Sequence, residues 1–156
     1  MSKGRIYWFT GEASNSRELG KRLHTLLQSE KRNWRRDVFY LDSEELRKIT
    51  NNTDYTDSGT IKHIRHLQMI AQYLHTTGCD VVVSDISPYK EVREEFKRRI
   101  GLTNFSEFYV HNSKQPLDYS TYGAPTENFI SVDTFRNNFE LSFGSIVNYL
   151  IDNHKL

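Results

Sequence analysis

The chain has little of several residue types that usually define a protein class: one cysteine and three prolines in 156 residues. A lone Cys79 excludes an intramolecular disulfide and fits a reducing compartment; at the head of the apolar run Cys79–Ser84 it is expected to start a strand and be buried. No apolar run approaches the roughly 18 residues of a membrane-spanning helix, and Met1–Arg5 runs into a strand without the apolar stretch of a signal peptide. The expectation is a cytoplasmic protein with no membrane partner. Excess charge is also missing. Lys and Arg number 21 against 20 Asp and Glu, for a net charge of +1, which argues against the basic surplus behind general nucleic-acid affinity. The one basic run with an interleaved aromatic, Lys31-Arg32-Asn33-Trp34-Arg35-Arg36, has a composition that suits a nucleic-acid backbone and a stacked base or, the commoner case, a solvated connection between a helix and a strand. His63 and His66 stand three apart on a helical pattern, yet no Cys or acid joins them at metal spacing, so zinc is not expected.

What is present is a rhythm. Short apolar runs alternate with helical patterns, which predicts βαβ units, an α/β fold and a parallel sheet of about five strands with helices on both faces, in one domain over residues 1–156. Ile6–Phe9 reads as a first buried strand and Val38–Leu41 as a second. Cys79–Ser84 reads as a third, Phe105–Val110 as a fourth and Ile130–Val132 as a weaker fifth. Between them, Leu19, Leu23, Leu26 and Leu27 recur at helical spacing, as do Ile61, Ile64, Leu67, Ala71 and Leu74. A charged helix is predicted over Tyr89–Ile100, and the stripe Phe139, Phe143, Ile146, Val147, Leu150 and Ile151 predicts a closing helix that covers the sheet.

In such a sheet, ligands bind in the crevice outside the carboxyl ends of the strands. Three polar elements fall there: the segment Gly11–Arg17, Asp42 with its neighbours, and Ser84-Asp85-Ile86-Ser87-Pro88-Tyr89. The first has the layout of a phosphate-binding P-loop, in which Gly, four residues and then Gly-Lys-Ser/Thr cradle phosphate, reach it with the Lys and hold Mg with the hydroxyl. Gly11 opens it, with Glu12, Ala13, Ser14 and Asn15 as the loop, but Ser16, Arg17 and Glu18 occupy the closing positions. Arg17 keeps a cation as a planar fork. Glu18 removes a Mg ligand and brings a carboxylate to a helix start, where it is expected to compete with phosphate. Asp85 lies at a strand end, the position of a metal-holding acid. With Asp42, and Glu18 as a third candidate, it is a candidate carboxylate site for Mg. Asp42 and Asp85 each also have a plain reading, as a helix cap and a turn residue.

Four landmarks in order make the chain resemble the adenylylsulfate kinase family of P-loop kinases. Trp8-Phe9-Thr10-Gly11 resembles its strand into the phosphate loop. Leu41-Asp42-Ser43-Glu44-Glu45-Leu46-Arg47 is similar to its Leu-Asp-Gly-Asp-Asn-x-Arg segment. Ser84-Asp85-Ile86-Ser87-Pro88-Tyr89 resembles its Ser-Phe-Ile-Ser-Pro-Tyr element, and Tyr122-Gly123-Ala124-Pro125 its Tyr-Glu-Ala-Pro segment. The resemblance implies ATP and Mg as cofactors, or another nucleotide. It implies Asp42 and Arg17 as catalytic residues, with Ala124 and Pro125 bordering the adenine. Arg47, Tyr55, His63, Arg65, Ile86 and Ser87 would then bind substrate, and a homodimer is a further expectation. The departures fall on the catalytic parts: the loop residues already named, Thr60 in place of an Arg, His63 in place of an Asn, and a short His111–Thr121 connection where the family has an arginine-bearing lid. The expectation is a kinase-like protein that binds a nucleotide or other phosphate ligand with phosphoryl transfer lost or altered. The alternative is an active phosphotransferase or phosphohydrolase for another nucleotide-type substrate.

Overall fold

The computed structural model describes residues 2–29, 36–117 and 121–156. Five parallel strands form one sheet in the order β2-β3-β1-β4-β5. They are β1 (Ile6–Gly11), β2 (Val38–Asp42), β3 (Asp80–Ser84), β4 (Phe105–His111) and β5 (Ile130–Asp133). The helices are α1 (Ala13–Ser29), α2 (Ser43–Ile49), α3 (Asp57–Thr76), α4 (Lys90–Ile100) and α5 (Phe139–Asp152). This is the α/β architecture that the alternating runs predict. The basic run Lys31–Arg35 lies outside the described residues, and Arg36 donates to Ser2 Oγ at 2.7 Å.

The central strand shows why the sheet needs helices on both sides. All six residues of β1 are buried, and its side chains alternate between two cores. Tyr7 and Phe9 face one with Leu19, Leu23, Phe108, Ile146 and Leu150, from α1, β4 and α5. Ile6 and Trp8 face the other with Leu46, Leu67, Ala71 and Phe96, from α2, α3 and α4. Trp8 meets Phe96 edge-on, with centroids 5.6 Å apart.

One sequence expectation is adjusted, and the reading of Asp42 as a helix cap is seen directly. Cys79 is half-buried and precedes its strand, which starts at Asp80; it sits in the turn that closes α3, where its N–H donates to Leu74 O. A short helix, α2, follows β2 directly, because Asp42 caps it with Oδ1 accepting from Glu44 N and Glu45 N.

The carboxyl ends of β1 and β3 are sewn together. Asp85 N donates to Phe9 O, Gly11 N to Ile86 O, and Thr10 Oγ1 to Ile86 O at 2.7 Å. Gly11 has φ +108°, and a Cβ placed there would stand 2.2 Å from Val110 O. Gly11→Ala is therefore expected to cost about 1–3 kcal/mol from the left-handed backbone alone, with the clash added. Urea denaturation of the variant beside the wild type measures it, and a loss under 0.5 kcal/mol would show that the β1–α1 turn can reshape.

Candidate functional site

The crevice at this edge is divided. On its α1 side the helix begins at Ala13, so Ser14, Asn15, Ser16, Arg17 and Glu18 are helical rather than curled into a loop; Ser16 N already donates to Glu12 O at 3.1 Å. The first amides of a helix lack intrahelical partners and attract anions. Here Glu12 supplies the anion, with Oε1 accepting from Ser14 N at 2.9 Å and Oε2 from Asn15 N at 2.8 Å. The competing carboxylate expected at Glu18 is thus found at Glu12, while Glu18 lies exposed one turn further on.

Arg17 points across the crevice. Its Nε stands 3.1 Å from Asp42 Oδ2 and its Nη2 2.9 Å from Glu44 Oε1. The hydrogen bond to Glu44, followed by the charge of Asp42, holds the guanidinium proton more tightly than usual despite some burial. Asp42 is then fully engaged, one oxygen on the α2 amides and the other on Arg17. The space left among Ala13, Ser16, Arg17, Ser43, Ser84 and Ile86 is about 70 Å³.

On the other side, between α2, α3 and the Asp85–Pro88 turn, the crevice opens into a cleft of about 380 Å³. Ser43, Glu44, Arg47, Tyr55, Thr60, His63, Asp85, Ile86, Ser87 and Pro88 line it. Arg47 Nη1 donates to Asn52 O, Asn52 Oδ1 and Asp54 O, and its guanidinium carbon lies 4.2 Å from the Tyr55 ring centroid. That pins one edge of the fork and stacks its face. Arg65 takes no part in this lining. It turns to α4, where Nη2 meets Glu95 Oε2 at 2.8 Å. Arg47 is thus the one guanidinium lining the cleft among the described residues.

A connected polar cluster forms the wall between the two hollows. Ser43 Oγ donates to Asp85 Oδ1 at 2.5 Å and lies 2.8 Å from His63 Nε2. Ser87 Oγ donates to Asp85 Oδ2 at 2.5 Å and accepts from Trp8 Nε1 at 3.2 Å. A hydroxyl has one proton. With the Ser43 proton on Asp85, His63 Nε2 must be the donor, which fixes the Nε2–H tautomer. Burial pushes His63 below its ordinary pKa, and the Asp85 charge only partly opposes this. The neutral ring leaves Nδ1 buried with no hydrogen-bond partner among the described residues.

Asp85 therefore has both oxygens on hydroxyls; no group of three or more His, Cys, Asp or Glu able to hold a metal ion occurs among the described residues. Ser87 reaches this position with φ +47°, a strained conformation for serine. It is held there by Trp8, by Asp85 and by Arg93 Nη1, which donates to Ser87 O at 2.5 Å. Arg93 Nη2 also bonds Gly123 O, and Gly123 N donates to Pro88 O at 2.8 Å. The Tyr122–Pro125 segment is thereby docked behind the Ile86–Pro88 turn, with Tyr122 OH on Thr10 Oγ1 at 2.9 Å. Pro125 is buried there and Ala124 exposed.

Of the residues the sequence marks for substrate, Arg47, Tyr55, His63, Ile86 and Ser87 line the cleft and Arg65 does not; Asp85, marked for a metal, lines it too, as do Ser43 and Glu44, which carry no such expectation. The sequence does carry a signal for Ser43: it is a hydroxyl following the cap residue at a strand end.

A parallel sheet of this order, with a helix leaving the central strand beside a polar crevice, defines the P-loop kinase class. Residues 3–121 match the sequence profile of adenylylsulphate kinase, and the chain belongs to that family. It is 24% identical to the adenylyl-sulfate kinase of Pseudomonas aeruginosa, covering 95% of this chain and 86% of that one. It is also 29% identical to the cytidine diphosphoramidate kinase of Campylobacter jejuni, over 67% of this chain and 59% of that one. Its fold matches the Mycobacterium tuberculosis APS kinase CysC, solved in complex with AMPPNP and APS, with TM-score 0.74 and 17% identity over 96% of this chain and 99% of that one. No described helix is long and apolar enough to cross a membrane.

The tautomer and the neutral state of His63 are measurable. A histidine whose folded pKa lies below its unfolded value of 6.5 contributes stability that is complete above 6.5 and is lost as pH falls through the folded value. Ring-nitrogen NMR is expected to show His63 neutral and protonated on Nε2 at pH 6.5. Unfolding free energy should fall below that pH, with a shallower slope in His63→Gln; an imidazolium at pH 6.5 would contradict the assignment.

Proposed function

We propose that this member of the family binds a phosphate-bearing ligand, of nucleotide type, in the cleft between α2, α3 and the Asp85–Pro88 turn, and that it does not carry out ATP-driven phosphoryl transfer of the ordinary kind. The observation that carries the reading is the Arg17 ion pair with Asp42 and Glu44. It takes the cation of the phosphate loop and the acid of the acceptor site out of use together. Three more features support it. Glu12 already caps the amides that would face phosphate, position 18 offers no hydroxyl for Mg, and about 70 Å³ remains on that side. Mg·ATP does not fit these residues, because the cation, the helix amides and the acid it would need are already paired within the chain. The cleft keeps what a phosphate-bearing ligand needs: a half-pinned guanidinium at Arg47, an aromatic face at Tyr55 and hydroxyls at Thr60 and Ser43. Membership of the family leaves the ligand open, since the Campylobacter relative is named for a cytidine compound and the Pseudomonas one for adenylyl sulfate.

The test is a calorimetric and thermal-shift panel of adenosine and cytidine mono- and diphosphates, adenosine phosphosulfate and ATP, with and without Mg. A nucleoside phosphate or phosphosulfate is expected to raise the melting temperature of the wild type, and Arg47→Ala to weaken its binding by about 10- to 100-fold, the value of a charged hydrogen-bonded contact. Mg·ATP should leave the melting temperature unchanged in the wild type and in Arg17→Lys, because Glu12 remains in place. Turnover of adenosine phosphosulfate with ATP that is lost in Asp42→Asn would overturn the reading.

A further inference from the structure

Ser43 is the atom-level junction of the site. It borders both hollows, and its hydroxyl lies between an acid and an imidazole. An activated nucleophile is recognised by a base within hydrogen-bond reach that is itself oriented by a third group. Asp85 Oδ1 at 2.5 Å is such a base, and Ser87, held by Trp8 and Arg93, orients it. His63 stands on the other side of the same oxygen as a donor, so the Ser43 proton is directed to Asp85 and its remaining lone pair is free to face the cleft. Arg47 lines the same cleft as the cation that would meet an incoming phosphoryl group.

We infer that Ser43 is a nucleophile and that the protein is a phosphoester hydrolase working through a covalent phosphoseryl intermediate. The inference rests on the proposed binding of a phosphate-bearing ligand in this cleft. In the first step the Ser43 Oγ–P bond forms as the P–O bond to the leaving group breaks. The departing oxygen keeps the electron pair and takes a proton from water, and the Ser43 proton passes to Asp85 Oδ1. In the second step water attacks phosphorus, the Oγ–P bond breaks, and the proton that the attacking water loses neutralises the hydroxide left when the leaving group was protonated. The serine oxygen recovers its proton from Asp85, and inorganic phosphate leaves. Asp42, the acid that the family resemblance makes catalytic, has no role in these steps because Arg17 holds it.

A small alkyl fluorophosphonate tests the nucleophile without knowledge of the natural substrate. Attack forms the Oγ–P bond, expels fluoride with its electron pair, and sends the serine proton to Asp85. Peptide mass mapping of the whole protein is expected to place a single adduct on Ser43. Ser43→Ala should give none, and Asp85→Asn should label about 100-fold more slowly, within the range of general-base contributions. His63→Gln keeps an N–H donor and should label faster than His63→Leu, which separates positioning from mere filling of space. Circular dichroism confirms that each variant is folded. Ser43→Cys provides a second route, since a haloacetamide should modify position 43 faster than Cys79. Labelling of Ser43 together with failure of every ligand in the binding panel would keep the nucleophile and remove the phosphate-ligand reading. Ligand binding with no adduct on Ser43, or equal labelling of Ser43→Ala, would overturn the nucleophile and leave the binding reading intact.

Discussion

The carboxyl edge of the sheet depends on where the buried guanidinium of Arg93 is held. A charge removed from water is tolerated only when it is paired and hydrogen-bonded. Arg93 is 3% exposed and stands 3.6 Å from Glu107 on β4, which in turn meets Lys97 Nζ at 3.2 Å. Burial raises the Glu107 carboxyl pKa while Lys97, then Arg93, pull it back. The three groups therefore fix one another across α4 and β4. With its Nε facing that pair, Arg93 can only send its two terminal nitrogens forward, to Ser87 O and Gly123 O. Ser87 is thereby held in a left-handed backbone conformation that costs about 1–3 kcal/mol in isolation. That conformation places its hydroxyl on Asp85. The position of Asp85 decides where Ser43 and His63 sit. The cleft is thus built outward from a buried ion network, one rigid contact at a time.

The same edge also shows how charges that face a crevice can be paired within the chain. Arg17 and Asp42 face each other across the crevice and meet at 3.1 Å. Arg17 is long enough to span the gap, and its fork reaches Asp42 and Glu44 at once, a geometry that a lysine point charge does not offer. Asp42 gains twice, since its second oxygen caps α2. A phosphate arriving on this side has to displace a two-carboxylate partnership at Arg17 and the Glu12 carboxylate from the helix amides. On the α3 side Arg47 has one nitrogen committed to carbonyl oxygens, which are poorer competitors than carboxylates.

The sheet and its helices were legible because hydrophobic period and burial coincide. Leu19, Leu23, Ile64, Leu67 and Ala71 are buried at the spacing that marks them in the sequence. The site was legible in part. Gly11, Asp42 and Asp85 fall at strand ends, and strand ends are readable. What a sequence does not print is where a helix takes up its hydrogen bonds. With Ala13 as the first helical residue, Glu12 rather than Glu18 reaches the free amides, a shift of register by less than two turns that exchanges one carboxylate for another. Arg65 shows a second limit: its partner Glu95 lies 30 residues on, so a motif position in α3 could not reveal that α4 claims the side chain. Ser43 escaped for the same reason, since its partners lie 20 and 42 residues away.

Ser43, His63 and Asp85 all stand at positions where the motifs quoted above carry other residues, Gly, Asn and Phe. Separately each reads as the loss of a family feature. Together they are mutual hydrogen-bond partners. A buried polar network is costly where it is only partly satisfied; in this one both Asp85 oxygens and the Ser43 hydroxyl are satisfied, and His63 Nδ1 alone of these groups has no partner among the described residues. Introducing Asp85 alone would place a carboxylate, 9% exposed, in a wall with one hydroxyl partner at Ser87. The hydroxyl of Ser43 gives its other oxygen a donor, and His63 then gives that hydroxyl a donor of its own. That ordered direction, from imidazole through hydroxyl to carboxylate, favours reading the cleft as a site with its own chemistry, beside a hollow that the Arg17, Asp42 and Glu44 charges bridge.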